Sequence, residues 1–561
     1  MNRVLHIILL VLTGMGQALI AQPLGSPILH PPVITGGFGE LRPDHFHAGV
    51  DLRSSKGKIG DPVVASGPGY ISRVLVQHEG YGRAVYIRHP DGRSTVYAHL
   101  AAFMPALQAL VDTIRYTSRQ EEIDLVFDPD QFPVKKKQVI GTMGMTGRTN
   151  GVHLHYEIRE RDGYRSVNPL LYGVHVHDQI PPEFTGLKIY ALDDKVLPLF
   201  ETLITPVRRG RSYRVKSDTL YVGAWRVGLG VAVQDLVAQN RFRTGVRKIT
   251  ISADGEQIYQ FVIDQVDFHL NRYINAHLDY AEWIRSGRGF HRCYQVPGNR
   301  LPFYPEMRKA GLIALSQSKA RNVVIDIEDP AGNTSQMIFW IKRAKQMESP
   351  PPRLFQYRIP FGEAFTHRDA DIRLSIPAGA FYETVFFRFS REEVEEGQVR
   401  YQIHESTTPL HQFIQVALAL PSASTVPGNK WIGAYLDRDK WISCGGQVKD
   451  GYLEFKSRHL GIYQLMADTI PPTITPLQPK LERHGGAWSF RIQDNVGAED
   501  HLRNLHWTIL LDDQWVPGEW LGKEERLIID PGQEARMNAK TLTVLVSDER
   551  GNETCWESDL Q

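Results

Sequence analysis

"TNGVHLHYEIRE", residues 149–160, places two histidines one residue apart in what reads as a β-strand. Side chains alternate faces along a strand, so His153 and His155 point the same way, roughly 7 Å apart along the backbone. Two imidazoles then share one surface. The pattern by itself says little, because 21 histidines in 561 residues should give about one H-x-H by chance. The chain also has His45 and His47 in "DHFHAGVD", and His175 and His177 in "YGVHVHDQ". Only a wider constellation can promote one pair above the others.

Working outward, "DPVVASGPGYISRVLVQ", "AVYIRHPDGRSTVYAHL" and "QVIGTMGMTGRTNGVHLHYEIRE" alternate strand-like runs with turn signals, which predicts a compact β-rich unit. It contains His47 and Asp51 in "FHAGVDL" and His99 in "YAHL". Gly49 between His47 and Asp51 argues against a helix, so helical spacing does not explain that pair. A catalytic zinc takes three protein ligands and keeps an open position. His47, Asp51 and His155 supply that number, and a single carboxylate leaves the site net positive, able to acidify a water and polarise a carbonyl. His99 and His153 then remain for proton transfer and for stabilising a developing oxyanion, work suited to a side chain that titrates near neutrality. Each residue taken alone has an ordinary reading as a loop pair, a strand-end histidine or a sheet-surface residue.

Taken together, the order "HAGVD", "YAHL" and "GTMGMTGRTNGVHLHYEI", with "GGFGELR" upstream, resembles the lysostaphin-like zinc metallopeptidases that cut the peptide part of peptidoglycan. The resemblance covers roughly residues 33–160. It implies an antiparallel β-sheet peptidase domain with one zinc ion per chain, His47, Asp51 and His155 matching the ligands and His99 and His153 the catalytic histidines. His45, His175 and His177 match no position of the family. Two features depart from its pattern. Val152 stands where proline usually precedes H-x-H, and about forty residues separate "YAHL" from "GTMG". Within this insert, residues 102–134, Phe103, Leu107, Leu110, Val111 and Ile114 fall at helical spacing, which predicts an amphipathic helix packed on the domain. The ordinary reading of the insert is a packing element; the functional one is that it borders the substrate groove, narrowing specificity or holding the enzyme inactive until a partner moves it.

The whole chain is too long for one core, and its length suggests about three or four domains. A net charge of +1 offers no broad basic surface, so nucleic acid is not an expected partner. "MNRVLHIILLVLTGMGQALIA", residues 1–21, has the layout of a cleavable signal, with an uncleaved anchor as the other reading; no membrane span is expected after cleavage. No cysteine follows it to accept a lipid. Cys293, Cys444 and Cys555 are too far apart for a disulfide framework to be read from spacing.

Beyond the peptidase region, "DQIPPEFTGLKIY" and "DTIPPTITPLQPK" open two segments that close with "VVIDIEDPAGNTS" and "LTVLVSDERGNET". Each has a Gln-Asp pair between these markers, at Asp235 and at Asp494. This internal repeat, with its alternating runs and Asp-Gly turns, predicts two immunoglobulin-like β-sandwiches at 180–345 and 470–561, the first enlarged around 264–310. A different all-β domain is expected at 350–468. Proline-rich junctions at Pro181 and Pro182, Pro350 to Pro352, and Pro471 and Pro472 separate the units. The Asp and Asn of "DPAGNT" and "DERGNE" are oxygen donors that calcium could take, but the favoured reading is a tight turn.

The expected boundaries are therefore a signal at 1–21, a peptidase domain at 27–178 and the three β-domains just given, in a mainly β chain. The expected activity is exported zinc-dependent endopeptidase action on peptidoglycan, in the periplasm, the cell envelope or outside the cell. The β-domains could engage a cell-envelope protein. The competing readings are a noncatalytic wall-binding regulator of another hydrolase, and a surface or adhesion protein whose function lies in the β-domains.

Overall fold

The computed structural model describes residues 23–560 except 211, 218, 238–241, 350–351, 395–397, 422–424, 479–480, 483–485 and 499–504. The expected signal segment and Pro350 and Pro351 lie outside the described residues. The chain is mainly β, with few and short helices, none of those described being long and apolar enough to cross a membrane.

The sheet of the N-terminal region runs in the order Ile34–Gly36, Val50–Arg53, His153–Arg159, Ser94–Ala98, Ala84–Arg88, Gly69–Val76 and Ile123–Val126, every neighbouring pair antiparallel. His153–Arg159 is central, and Leu154, Tyr156 and Ile158 on its inner face are fully buried. A second small sheet joins Pro62–Val64, Val139–Met143 and Leu100–Phe103. His99 sits where the chain leaves one sheet for the other, with φ 61°. Left-handed backbone is uncommon for residues other than glycine, although histidine tolerates it better than most.

The insert contains the expected helix at Pro105–Ser118, started by a proline in its first turn and stopped by Arg119 in left-handed conformation. Leu107 and Val111 are buried beneath it and Leu110 and Ile114 pack on the same core. Phe103 is not part of the helix; it closes the strand Leu100–Phe103, because pairing with Gly141 claims its backbone. The insert also gives the main sheet an edge strand, Ile123–Val126, which alternation within only four residues does not reveal.

A continuous core runs from Leu24 through Ile341 without a break between the peptidase region and the β-region after it. Two contacts fasten that junction. Gln265–Asp267, from the enlargement of the first repeat, pairs antiparallel with Arg165–Val167. Asn271, buried, accepts from Phe46 N at 2.7 Å and donates to Phe46 O at 3.0 Å. The fully buried Phe46 ring meets Phe303 edge-on at 5.2 Å and lies against Phe261 and His277.

Between the repeats, residues 356–468 form further antiparallel sheets around Ile372, Leu374, Phe387, Val416 and Tyr463. The last repeat has two four-stranded sheets, one containing Trp488–Gln493 and the other Thr541–Asp548, that share a core around Trp488, Trp520, Phe490, Ile509 and Val544. This last unit folds back on the first. Gly518 N donates to Glu121 Oε2 at 2.9 Å, Arg83 pairs with Glu519 at 3.2 Å, and Lys523 Nζ reaches Asn150 Oδ1 at 3.1 Å. Trp507 meets His78 edge-on at 4.9 Å, and Trp515 meets Tyr116 of the insert helix at 6.1 Å. No disulfide joins the three cysteines.

His277 stacks on Phe261 at 4.7 Å, and its Nε2 lies 2.8 Å from His291 Nδ1, both rings being buried. Burial pushes His291 down to about 3, and burial with the neighbouring His291 and Arg292 holds His277 well below the usual histidine range. The unfolded chain takes up protons near pH 6.5 that this folded pair refuses, so the stability it contributes is present above that pH and lost as pH falls. The thermal midpoint should therefore drop between about pH 7 and pH 5, and less steeply in His291→Asn. Equal slopes measured by calorimetry would remove the pair as the cause.

Candidate metal centre

The site is built by strand register. His155 lies opposite Asp51 on one neighbouring strand and opposite Ala98 on the other, so Asp51 is brought beside His155 and His99 follows one residue beyond. His47 joins them from the turn that leads into Val50–Arg53. Two glycines make room. A Cβ on Gly49 would fall 2.8 Å from the His155 ring, and one on Gly36 would fall on an Asp51 carboxylate oxygen.

Three donor atoms converge. His47 Nε2 is 3.0 Å from His155 Nδ1 and 3.2 Å from Asp51 Oδ1, and His155 Nδ1 is 3.0 Å from the same oxygen. Ligands about 2.0–2.1 Å from a tetrahedral zinc lie about 3.3 Å from one another, so the triangle has the size such an ion requires. The outer nitrogens of both rings are occupied. His47 Nδ1 donates to Gly37 O at 2.8 Å, and His155 Nε2 donates to Glu157 Oε1 at 2.9 Å. Those bonds leave His47 Nε2 and His155 Nδ1 as the lone-pair atoms that face Asp51.

Glu157 is fully buried and also accepts from Arg159 Nε at 2.7 Å and from Tyr81 Oη at 2.6 Å. Burial opposes its charge, but Arg159 and His155 overcome this and hold it down to about 2. Burial likewise opposes charge on His155, yet hydrogen bonds to Asp51 and Glu157 push it up to about 9. Asp51, against the same opposition, is held well below the usual carboxylate range by His47 and His155. A positive charge is thus favoured at the centre of this cluster, whether it comes as a proton or as a metal ion.

His99 and His153 flank the triangle with ring centroids 4.8 Å apart. His99 Nδ1 donates to Thr146 O at 2.8 Å, and His153 Nδ1 is 2.9 Å from Gly151 O. Each ring thereby keeps Nε2 as its other nitrogen. Burial, reinforced by His153 and His155, pushes His99 down to about 3, and burial also lowers His153 despite the Asp51 charge. Both are neutral bases at neutral pH. The other two H-x-H pairs do not contribute a second cluster: His45 is exposed beside Asp44, and His175 and His177 are exposed.

All five residues expected from the sequence therefore meet in one place. Sequence reasoning missed Glu157, although the alternation that pairs His153 with His155 also puts residue 157 on their face. It missed Tyr81 and the brace from Asn271 to Phe46 as well, and nothing local in sequence signals a contact across 225 positions.

Part of the chain is similar to known proteins. The profile described as Peptidase family M23 matches residues 45–112 and 124–169, and that described as Zu5-like domain matches residues 356–468. The DD-carboxypeptidase/endopeptidase Mpg of Neisseria meningitidis serogroup B is 37% identical over 125 residues, 22% of this chain and 22% of that protein. The peptidoglycan DD-endopeptidase ShyC of Vibrio cholerae serotype O1 is 33% identical over 111 residues, 20% of this chain and 19% of that protein. A zinc-containing peptidase from Vibrio cholerae of known crystal structure is 26% identical, with 26% of this chain and 39% of that one covered, at a TM-score of 0.19. The chain spans only about a fifth of the length of these curated relatives. The fold and site define a metallopeptidase class of domain. In particular, the N-terminal region carries a domain of peptidase family M23, the lysostaphin-like family.

Replacing Glu157 with Gln keeps the side-chain volume but removes the charge that orients His155. Zinc affinity should fall roughly 10- to 100-fold, the usual cost of losing such a partner. Competition with a chromophoric chelator measures this, and parental affinity in the variant would refute the assigned role.

Proposed function

We propose that this protein is an exported zinc metalloendopeptidase that hydrolyses peptide bonds in the stem peptides or cross-links of peptidoglycan. The observation that carries the reading is the convergence of His47 Nε2, Asp51 Oδ1 and His155 Nδ1 within 3.2 Å of one another, with two tethered neutral histidines beside them. His47, Asp51 and His155 would hold the ion, which when bound supplies an acidified water and a polarised carbonyl.

The chain's own groups do the rest. Thr146 O fixes the His99 ring and Gly151 O the His153 ring, which leaves each Nε2 outside those bonds, that of His153 lying 3.5 Å from Asp51 Oδ1. Being neutral, one accepts the proton of the attacking water and later returns it to the departing amine. Before that return the protonated ring donates to the oxyanion, while the other ring, through its unprotonated Nε2, accepts a hydrogen bond from the water and orients it. Glu157, Arg159 and Tyr81 keep the His155 ring from turning, so these groups are organised before substrate arrives.

The wider organisation follows the sequence reading: a signal at residues 1–21, a peptidase domain at 27–178 with its insert at 102–134, β-sandwich domains of immunoglobulin-like type at 180–345 and 470–561, and an all-β domain at 350–468. The paired four-stranded sheets sharing Trp488 and Trp520 support the sandwich reading for the last unit. The insert acts as a platform on which the last domain rests, through Tyr116 and Glu121, beside the turn that carries Asn150 and leads to His153. A cell-envelope protein partner for the β-domains remains part of the proposal. The noncatalytic regulator reading is disfavoured because all five candidate site residues are present and assembled; the adhesion reading is tested separately, by binding of the β-domains, residues 180–561, to whole cells.

His155→Ala should lose both zinc and cleavage of purified peptidoglycan. His99→Asn, chosen because asparagine tolerates the left-handed backbone at this position, should keep zinc and lose at least about 100-fold in rate. Metal content and mass spectrometry of the released fragments read the two effects separately. A His99→Asn protein without zinc would overturn the division of roles, and undiminished cleavage by His155→Ala would overturn the enzyme assignment.

A further inference from the structure

The internal repeat brings together a second kind of cluster, once in each copy. Asp178, Asp235 and Asp329 each offer an oxygen within 4.8 Å of the others', and so do Asp468, Asp494 and Asp548. The six residues are the repeat's own markers: the Asp that opens each copy, the Asp of each Gln-Asp pair, and the Asp of each Asp-x-x-Gly-Asn ending. Three positions, widely spaced in sequence, converge twice in the same arrangement.

Carboxylates gathered in this way repel one another unless something neutralises them. The largest influences on Asp235, Asp329, Asp468 and Asp494 are burial, neighbouring carboxylates and hydrogen bonds, with no lysine or arginine among them. Of the basic side chains beside the second cluster, Lys430 ends on Asn552 Oδ1 at 2.6 Å and on Arg550 O at 2.8 Å, and Arg550 ends on Glu549 at 3.3 Å and on Gly446 O at 3.2 Å. One oxygen in each cluster is buried without any hydrogen-bond partner: Oδ1 of Asp235 in the first and Oδ1 of Asp468 in the second, on residues each 1% exposed. A buried carboxylate oxygen without a donor is expensive to maintain, and each copy holds one, on the Gln-Asp aspartate in the first and on the opening aspartate in the second. Burial and the neighbouring carboxylates push Asp235 up to about 8 and Asp494 up to about 7, as expected where a positive charge is missing.

We propose that each of the two related β-domains binds one calcium ion, through Asp178, Asp235 and Asp329 in the first and through Asp468, Asp494 and Asp548 in the second. The donor set is oxygen only, which selects a hard cation over zinc. Oxygens within 4.8 Å of one another can share one ion at calcium–oxygen distances of about 2.3–2.6 Å, and calcium accepts an irregular all-oxygen set where magnesium demands near-ideal octahedral geometry. The turn reading of the Asp-x-x-Gly-Asn endings holds as well. Asp329 Oδ1 accepts from Asn333 N at 2.9 Å, and Asp548 Oδ1 accepts from Asn552 N at 2.9 Å. The turns shape the loop, and the other two carboxylates convert it into a site.

Each ion would tie the segment entering a domain to the body of that domain, because Asp178 and Asp468 precede the first strands, Glu183–Leu192 and Thr473–Pro476. In the first copy the tie reaches the peptidase. Thr244 Oγ1 donates to Asp235 Oδ2 at 3.3 Å, and Thr244 packs so closely on Gly37 that a Cβ there would lie 2.9 Å from it. The carbonyl of that same Gly37 holds His47.

The test uses the zinc-loaded full-length chain, stripped of calcium and titrated with calcium chloride in a calorimeter. Two calcium ions should bind per chain, one in Asp235→Asn, one in Asp494→Asn and none in the double variant, with zinc content the same in all four. Calcium should raise the parent's thermal midpoint and leave that of the double variant unchanged. Without calcium, each variant should melt no lower than the parent, since the substitution removes a buried like charge, and this separates lost binding from lost folding. No binding up to about 10 mM calcium, beyond the weak end of extracellular calcium modules, would overturn the proposal. So would a stoichiometry that neither substitution changes.

Discussion

The register that sets His155 against Asp51 and Ala98 governs this molecule's chemistry. Side chains in a sheet alternate with a period of two, so a slip by one residue would turn His153, His155 and Glu157 into the apolar core and set Leu154, Tyr156 and Ile158 among the polar groups of the site. The burial of those three apolar residues makes such a slip costly. The same interaction thus selects both the fold and the geometry of the site, and the histidines take their place because their neighbours must be inside.

Around that register the molecule spends structure on holding imidazoles still. Glu157 secures one ring, Gly37 and Thr146 carbonyls secure two more, and the segment before His47 is held by Asn271 and packed through Phe46 into a core that belongs to the next domain. The peptidase region is therefore not self-sufficient in its bracing. Part of the rigidity of its site comes from residues more than two hundred positions away.

Much of this is legible in the sequence, because strand alternation, Gly-rich turns and histidine spacing are local signals. The β-rich class and the helix in the insert can be read that way, whereas the five candidate site residues stand out only through an order of motifs that resembles a known family. The edge strand Ile123–Val126, the assignment of Phe103 to a strand, and the Phe46–Asn271 clasp cannot, since each depends on which distant backbone is available to pair. The two aspartate clusters fall between these cases. Their members stand out as repeat markers, but only the folding of each copy brings the opening, middle and closing aspartates to one point, so the sequence by itself favours the turn alone.

The contact between the last domain and the first also sets an order of events. Glu121 meets Gly518 across 397 positions and Arg83 meets Glu519 across 436, so the surface bearing His78, Tyr116 and Glu121 emerges long before the residues that will cover it. During synthesis the peptidase region can fold, and then dock on its enlarged neighbour, while that surface is still bare. Chain closure so distant is entropically slow and comes last. For an interval each newly made molecule would present an assembled site with an uncovered flank, and a chain cut short before residue 470 would stay permanently in that immature form.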